Sequence, residues 1–255
     1  MNYQPDNLYQ GIILKKVIYR ETSIICNILT PQDGKITLLA KGVRQPKNPN
    51  FGLLQILAEL EFSTHRKKNS EWHILKTCEL QKTYENPNFH TTAVLQAGAE
   101  LFDQMIIPAQ ETTTYFTLLK NYLSYSQKFD NNSIALFWRL LLRLFELNGI
   151  TLDLMHCVSC GRETSLFNGY HFQKQGFICS QCENDTFPLM IEKLTTEEQE
   201  LIKILPSIGN KLNDISISSI AASQITRILM SHLNFHFNDH FNLKSLKLIN
   251  STNIE

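Results

Sequence analysis

The sequence predicts an α+β protein: an N-terminal five-stranded OB-like β-barrel, then an α-helical domain that carries a four-cysteine zinc module. Three observations predict it. Over residues 1–85, apolar residues recur in short runs rich in Ile, Val and Thr, bounded by turn signals. From about Asn88 the apolar period becomes helical. Finally, Cys157-x-x-Cys160 and Cys179-x-x-Cys182, eighteen residues apart, have the spacing of a tetrahedral thiolate site.

Leu8–Tyr19 reads as the first strand, bent near Lys15-Lys16, and Ser23–Thr30 as the second. Pro31-Gln32-Asp33-Gly34 is a turn closed by Asp-Gly, a strong hairpin signal, and Lys35–Lys41 follows as the third strand. Gly42–Gly52 contains Pro46 and Pro49 and reads as a mobile loop. Leu54–Phe62 and Trp72–Leu80 are two more strands around a basic turn, His65-Arg66-Lys67-Lys68-Asn69. Five such strands fit an OB-type barrel, which commonly binds oligonucleotides, and fit an SH3-like barrel almost as well.

Thr91–Ile107 is the first predicted helix, ended by Pro108. Thr112–Phe129 is the second and Ser133–Leu147 the third, capped by Ser133 and stopped at Asn148-Gly149. After the cysteines, Thr195 with Glu198 forms a capping box at the start of a helix that runs through Leu201, Ile202 and Leu205 to Pro206. Ser218–Phe237 is the last long helix. The expected domains are therefore 1–85, the barrel, and 86–255, the helical part, with a zinc-finger insert at about 155–190.

Two cysteines separated by two residues can both point into one tight knuckle turn, and two knuckles close a tetrahedron around Zn²⁺. Gly161 follows the first pair, where such a turn favours positive φ. Asn168-Gly169 and Gln175-Gly176, with Phe167, Tyr170, Phe172 and Phe177, suggest a small β-hairpin between the knuckles. Four-thiolate iron shares the spacing. Nothing argues for catalysis by the metal: no His-x-Glu occurs, and neither cysteine pair follows a proline. A structural Zn²⁺ held by Cys157, Cys160, Cys179 and Cys182 is expected. His156 is a spare neighbour, and Cys26 and Cys78 read as small core residues.

The chain of 255 residues is 43% hydrophobic, 19% charged and formally neutral, which suits folded globular units. Its richest apolar run, Ile134 to Phe145, is interrupted by Arg139 and Arg143, well short of the ~20 residues that cross a bilayer. Lys15 and Lys16 split the only early apolar patch, so no signal peptide is expected and the protein reads as cytoplasmic. Residues 1–85 hold twelve Lys or Arg against eight Asp or Glu, an excess of four positive charges. Lys35, Lys41, Arg44 and Lys47 follow the third strand and the loop after it, Arg66, Lys67 and Lys68 lie on another turn, and Arg20 on a third. Such cations suit phosphate contact, although a solvated barrel with charged loops has the same pattern. Phe51 lies in the basic loop, while Tyr19, Phe62 and Trp72 read as core or edge residues. Arg139 and Arg143, one turn apart in an apolar helix, read as the solvated edge of a core helix or as a grip for an acidic peptide end. His232, His236 and His240 read as surface or core histidines. No phosphate loop, nucleophile elbow or dinucleotide fingerprint is present.

The order of parts, with Thr30-Pro31-Gln32-Asp33-Gly34-Lys35, Ala40-Lys41-Gly42-Val43-Arg44, Leu141–Gly149 and Lys244-Ser245-Leu246-Lys247, resembles the bacterial RecO family of recombination mediators over nearly the whole chain. One departure concerns the basic loop, where Gln45 and Lys47-Asn48 replace the family's second Arg and Lys-Ser pair. The resemblance implies a non-enzymatic DNA repair and recombination mediator. Such a protein binds single- and double-stranded DNA without a sequence code and anneals complementary strands. It implies action with a RecR-like mediator, binding of the acidic C-terminal tail of single-stranded DNA-binding protein, and help in loading a RecA-type recombinase. Lys35, Lys41, Arg44, Lys47, Arg66, Lys67 and Lys68 would then contact DNA, and Arg139 and Arg143 the tail. The rivals are a protein-interaction scaffold without DNA contact and a zinc-dependent hydrolase.

Overall fold

The computed structural model describes residues 7–66, 70–126, 132–185 and 188–252. The chain divides into two compact units, Met1–Asp130 with Asn242–Ile249, and Asn131–Phe241 with Asn250–Glu255.

In the first unit β1 (Asn7–Tyr19), β2 (Ser23–Thr30), β3 (Gly34–Ala40), β4 (Ala58–Arg66) and β5 (Trp72–Thr83) close a barrel in the order β1-β2-β3-β5-β4. β4 returns to pair with β1, and β3 with β5 is a parallel seam. This closed order is the OB-like arrangement, and it removes the SH3-like alternative. Gly34 closes the β2–β3 turn at φ +66, a conformation that costs glycine little. β1 shifts register between Ile13 and Lys15, the place where the paired lysines suggest a bend. Inward residues from every strand, among them Ile13, Cys26, Ile28, Leu38, Leu60 and Phe62, form one core. Burial pushes the Cys26 and Cys78 thiols up to about 12 and about 11, which suits packing rather than reactivity.

The fourth strand differs from expectation. Leu54–Leu57 is a loop, because Leu57 turns left-handed at φ +68 and donates its N–H to the Ile13 carbonyl. Leu54 and Leu57 are buried all the same. Leu54 joins the barrel core from this loop, so the apolar pattern buries side chains without extending a strand. β4 starts later, so His65 and Arg66 sit in the ladder opposite Ile74 and His73 and not on the turn.

Against the barrel pack α1 (Phe89–Gln104) and α2 (Thr112–Tyr125), and the start of α7 (Lys244–Thr252) is bonded to α1. Asn88 caps α1 by accepting from the Thr91 N–H, and the helix ends before Met105, which is extended. Asp103 near its end receives Lys15 and Asn27, while Lys35 donates to its backbone carbonyl. Thr112 and Thr113 hydroxyls at the start of α2 donate to the Pro31 carbonyl. Ser245 of α7 donates through N–H and hydroxyl to the Glu100 carboxylate, and Gln104 and Asn242 exchange hydrogen bonds.

The second unit is built on α3 (Ser133–Leu147), α5 (Thr196–Ile204) and α6 (Ser219–Phe237). Ser133 does not cap α3. Asn132 precedes it in a left-handed conformation and spends its amide on the Leu212 and Ile215 carbonyls. Trp138 is fully buried and donates to the Thr226 hydroxyl, tying α3 to α6. The Thr195–Glu198 capping box is present at α5. Among the described residues no helix is long and apolar enough to cross a membrane.

Candidate metal centre and nucleic-acid interface

Between α3 and α5 the strands β6 (Gly169–His171), β7 (Gly176–Ile178) and β8 (Ile191–Lys193) form a small antiparallel sheet in the order β7-β6-β8. The hairpin of β6 and β7 lies where the glycine pairs place it; β8 gave no sequence signal in its three residues. The first knuckle precedes this hairpin, and the second leads into the short helix α4 (Ser180–Asn184). In the first, Gly161 at φ +69 donates its N–H to the Cys157 carbonyl. In the second, the Glu183 N–H returns to the Cys179 carbonyl. The Val158 N–H bonds the Phe177 carbonyl, so the first knuckle is stitched to the hairpin.

These turns bring Cys157, Cys160, Cys179 and Cys182 together, with all four sulfurs within 4.8 Å of one another. Zinc–sulfur bonds of about 2.3 Å in a tetrahedron require sulfurs about 3.8 Å apart, and Cys160 Sγ lies 3.9 Å from Cys179 Sγ. Burial by itself would push the Cys157 thiol up, but N–H groups of Cys179, Cys160 and Ser159 directed at its sulfur bring it down to about 6. Burial and the crowding sulfurs of Cys160, Cys157 and Cys179 push Cys182 up to about 12. Four thiols converging on one point are a set whose protons a dication would displace. The donor set fits a four-coordinate metal. His156 is not among the converging ligands; its ring faces Asp153, 3.1 Å away.

The cations expected to meet phosphate are distributed unevenly. Lys41, Arg44 and Lys47 are all exposed on the loop after β3. That loop is a succession of tight turns, with Gln45 bonding back to Gly42, Asn48 to Gln45 and Phe51 to Asn48. Arg44 also donates from its backbone to Thr22 and from its guanidinium to the Glu21 carbonyl, which fastens the loop to the β1–β2 turn. Lys35 is half-buried and committed to the Asp103 carbonyl, and burial lowers its ammonium below the usual lysine range. Arg66 is half-buried in the ladder, and its Nε has no hydrogen-bond partner among the described residues. Lys67 and Lys68 lie outside the described residues.

Arg139 and Arg143 both line a cavity of about 230 Å³ in the second unit, with Leu142, Leu152, Leu154 and Pro206. Arg139 packs over Gly209, where a Cβ would stand 2.7 Å from its Nε, and Arg143 pairs with Glu146 at 2.6 Å. Leu152, Leu154 and Pro206 carry no functional signal in the sequence, because they reach the cavity from separate segments of the chain. His232 is buried, its Nε2 donating to the Ile150 carbonyl, and His236 and His240 are exposed.

The chain is similar to known proteins along nearly its whole length. Residues 6–84 match the model "Recombination protein O N terminal", and residues 86–247, more than half of the chain, match "Recombination protein O C terminal". A DNA repair protein RecO from Alkaliphilus metalliredigens is 24% identical over 94% of this chain and 96% of its own length. The protein of that name from Acetivibrio thermocellus is 27% identical over 76% of each chain. The one from Glaesserella parasuis is 28% identical over 69% of this chain and 73% of its own. With both halves matched in order and the barrel, helices and cysteine quartet in place, the chain belongs to the Recombination protein O family.

Proposed function

We propose that this protein is a DNA repair and recombination mediator that works by binding and makes or breaks no covalent bond. Residues 1–85 serve as its DNA-binding domain and residues 86–255 as a helical domain. Lys41, Arg44 and Lys47 contact backbone phosphates, with Arg66, Lys67 and Lys68 as a second patch. Lys35, held by Asp103, contributes to the field more than to direct contact. Phosphate contact carries no sequence code, so single and double strands both bind. Two strands held on one cationic surface repel each other less, which is what annealing requires.

Zn²⁺ is the proposed ion for Cys157, Cys160, Cys179 and Cys182. With four thiolates it has no open position, and its role is to hold the knuckles in shape. Arg139 and Arg143, beside an apolar cleft, are proposed to take the acidic C-terminal tail of single-stranded DNA-binding protein, Arg143 exchanging Glu146 for a tail carboxylate. A RecR-like mediator is the expected partner, and loading of a RecA-type recombinase in the cytoplasm the expected outcome.

The observation that carries the reading is the exposure of Lys41, Arg44 and Lys47 on one loop of a closed OB-like barrel in a chain of this family. DNA binding measured across a salt series tests it. Lys41→Glu with Arg44→Glu should weaken binding to both strand forms and flatten the log–log slope by about 0.7–0.9 per lost contact. An unchanged slope would move the interface off this loop. Failure of the intact protein to bind DNA, with tail-peptide binding retained, would favour the scaffold instead.

A further inference from the structure

A single strand exposes base faces that a duplex hides, and proteins that hold single strands pair a cationic track with aromatic rings on which bases stack. Read from sequence, the barrel has the cations but lacks an assigned ring. The fold supplies one. Trp72, the first residue of β5, is 38% exposed, and its ring meets that of Tyr19 at the end of β1 edge to face, with centroids 6.1 Å apart. Tyr19 is half-buried, and the Arg20 guanidinium lies 5.2 Å from its ring centroid. Arg20 opens the same β1–β2 turn to which Arg44 is fastened through Glu21 and Thr22. Trp72, Tyr19 and Arg20 thus touch in sequence, and the turn that begins at Arg20 is bonded through Glu21 and Thr22 to Arg44 of the basic loop. The residues come from separate strands and a loop, fifty-three positions apart at the extreme. Their assembly is a property of the fold.

We infer that Trp72 and Tyr19 form a base-stacking platform for single-stranded DNA, continuous through Arg20 with the phosphate-binding loop. The inference rests on the DNA-binding reading above and deepens it, because it supplies the preference for unpaired strands that phosphate contact cannot. The indole, 38% exposed and perpendicular to the phenol, keeps part of its surface in solvent, where a planar guest can meet it. The Arg20 guanidinium adds a cation to that apolar surface, where the sugar-phosphate chain of the stacked base would run. A strand released from pairing would be held by its bases here, with its backbone on Arg44 and Lys41.

The sequence contains two tryptophans, and Trp138 is fully buried in the other unit, so Trp72 is the exposed fluorophore. Titration of the full chain with a thymidine homopolymer should quench that emission. The same titration with an abasic oligomer of equal length, which keeps every phosphate, should not. In parallel binding assays Trp72→Ala and Tyr19→Ala should each weaken single-strand affinity roughly 5- to 150-fold, with duplex affinity and the salt slope unchanged. Trp72→Phe, which keeps a ring, should recover most of the loss; its near-native fold serves as the control for Trp72→Ala. Equal binding of abasic and base-bearing strands, or equal loss of single-strand and duplex binding in Trp72→Ala, would overturn the platform while leaving the phosphate loop intact. If no DNA of either form binds the intact chain, the broader reading fails with it, and the aromatic pair then faces some other macromolecule.

Discussion

At the scale of single residues, the most consequential group is one that no local pattern announces. Glu59 on β4 is 3% exposed, and it accepts from Gln10 at 2.6 Å, from the Tyr84 hydroxyl at 2.6 Å and from Lys120 at 2.5 Å. Burial alone would raise its carboxyl, but the bonds from Lys120, Tyr84 and Gln10 hold it below the usual carboxylate range. Burial and the adjoining carboxylate raise the Tyr84 phenol, so that it stays protonated and donates. A carboxyl depressed in the folded state contributes stability above its unfolded value and loses it as pH falls through the folded one. Glu59→Gln should cost about 1–3 kcal/mol at neutral pH, discounted because Lys120 is partly exposed. The gap from wild type should stay constant down to about pH 5 and narrow below it. Urea unfolding of both proteins at several pH values measures this, and a gap that widens in acid would contradict the assignment.

At the scale of elements, legibility followed the range of the interaction. The cysteine pairs are local, each spanning four positions, so the knuckles and the hairpin between them are legible directly. Strands β2 and β3 are short apolar runs set off by the Pro31–Gly34 turn, so local signals place both to within a residue. β4 was misplaced because Leu54 and Leu57 bury apolar surface from a loop, and periodicity reports burial without saying which backbone delivers it. α7, with sequence Lys-Ser-Leu-Lys-Leu-Ile-Asn-Ser-Thr, is amphipathic at helical period but only nine residues long, too short for a periodic pattern to stand out, and Ser245 ties it to Glu100. The Glu59 partners lie 25 to 61 positions away, beyond any window. The metal module leads to its own prediction. Its sheet strands are three residues each, too short to persist unaided. Chelation, or Cys160→Ser, should therefore abolish hydrogen-exchange protection at Gly169–His171 and Gly176–Ile178 while β1 to β5 stay protected. DNA affinity should be nearly unchanged. Protection that survives a strong chelator, with metal analysis confirming removal, would deny the metal its structural role.

At the scale of the whole molecule, the first unit is discontinuous: the segment Asn242–Ile249 belongs with Met1–Asp130, although Asn131–Phe241 of the second unit intervenes in the chain. Leu243 and Ser245 are buried there, at 4% and 3% exposure, and Ser245 holds Glu100 of α1. Ending the chain at Phe241 should therefore speed amide exchange in α1 (Phe89–Gln104), and slow exchange there in the shortened protein would refute the coupling. The same arrangement bears on synthesis. A polypeptide emerging from the ribosome can fold its barrel early, yet that barrel's helical jacket stays unfinished until more than a hundred further residues have been made. A nascent chain stalled or clipped within those residues would show proteases a loosened α1, which gives quality control a means of telling finished copies from partial ones.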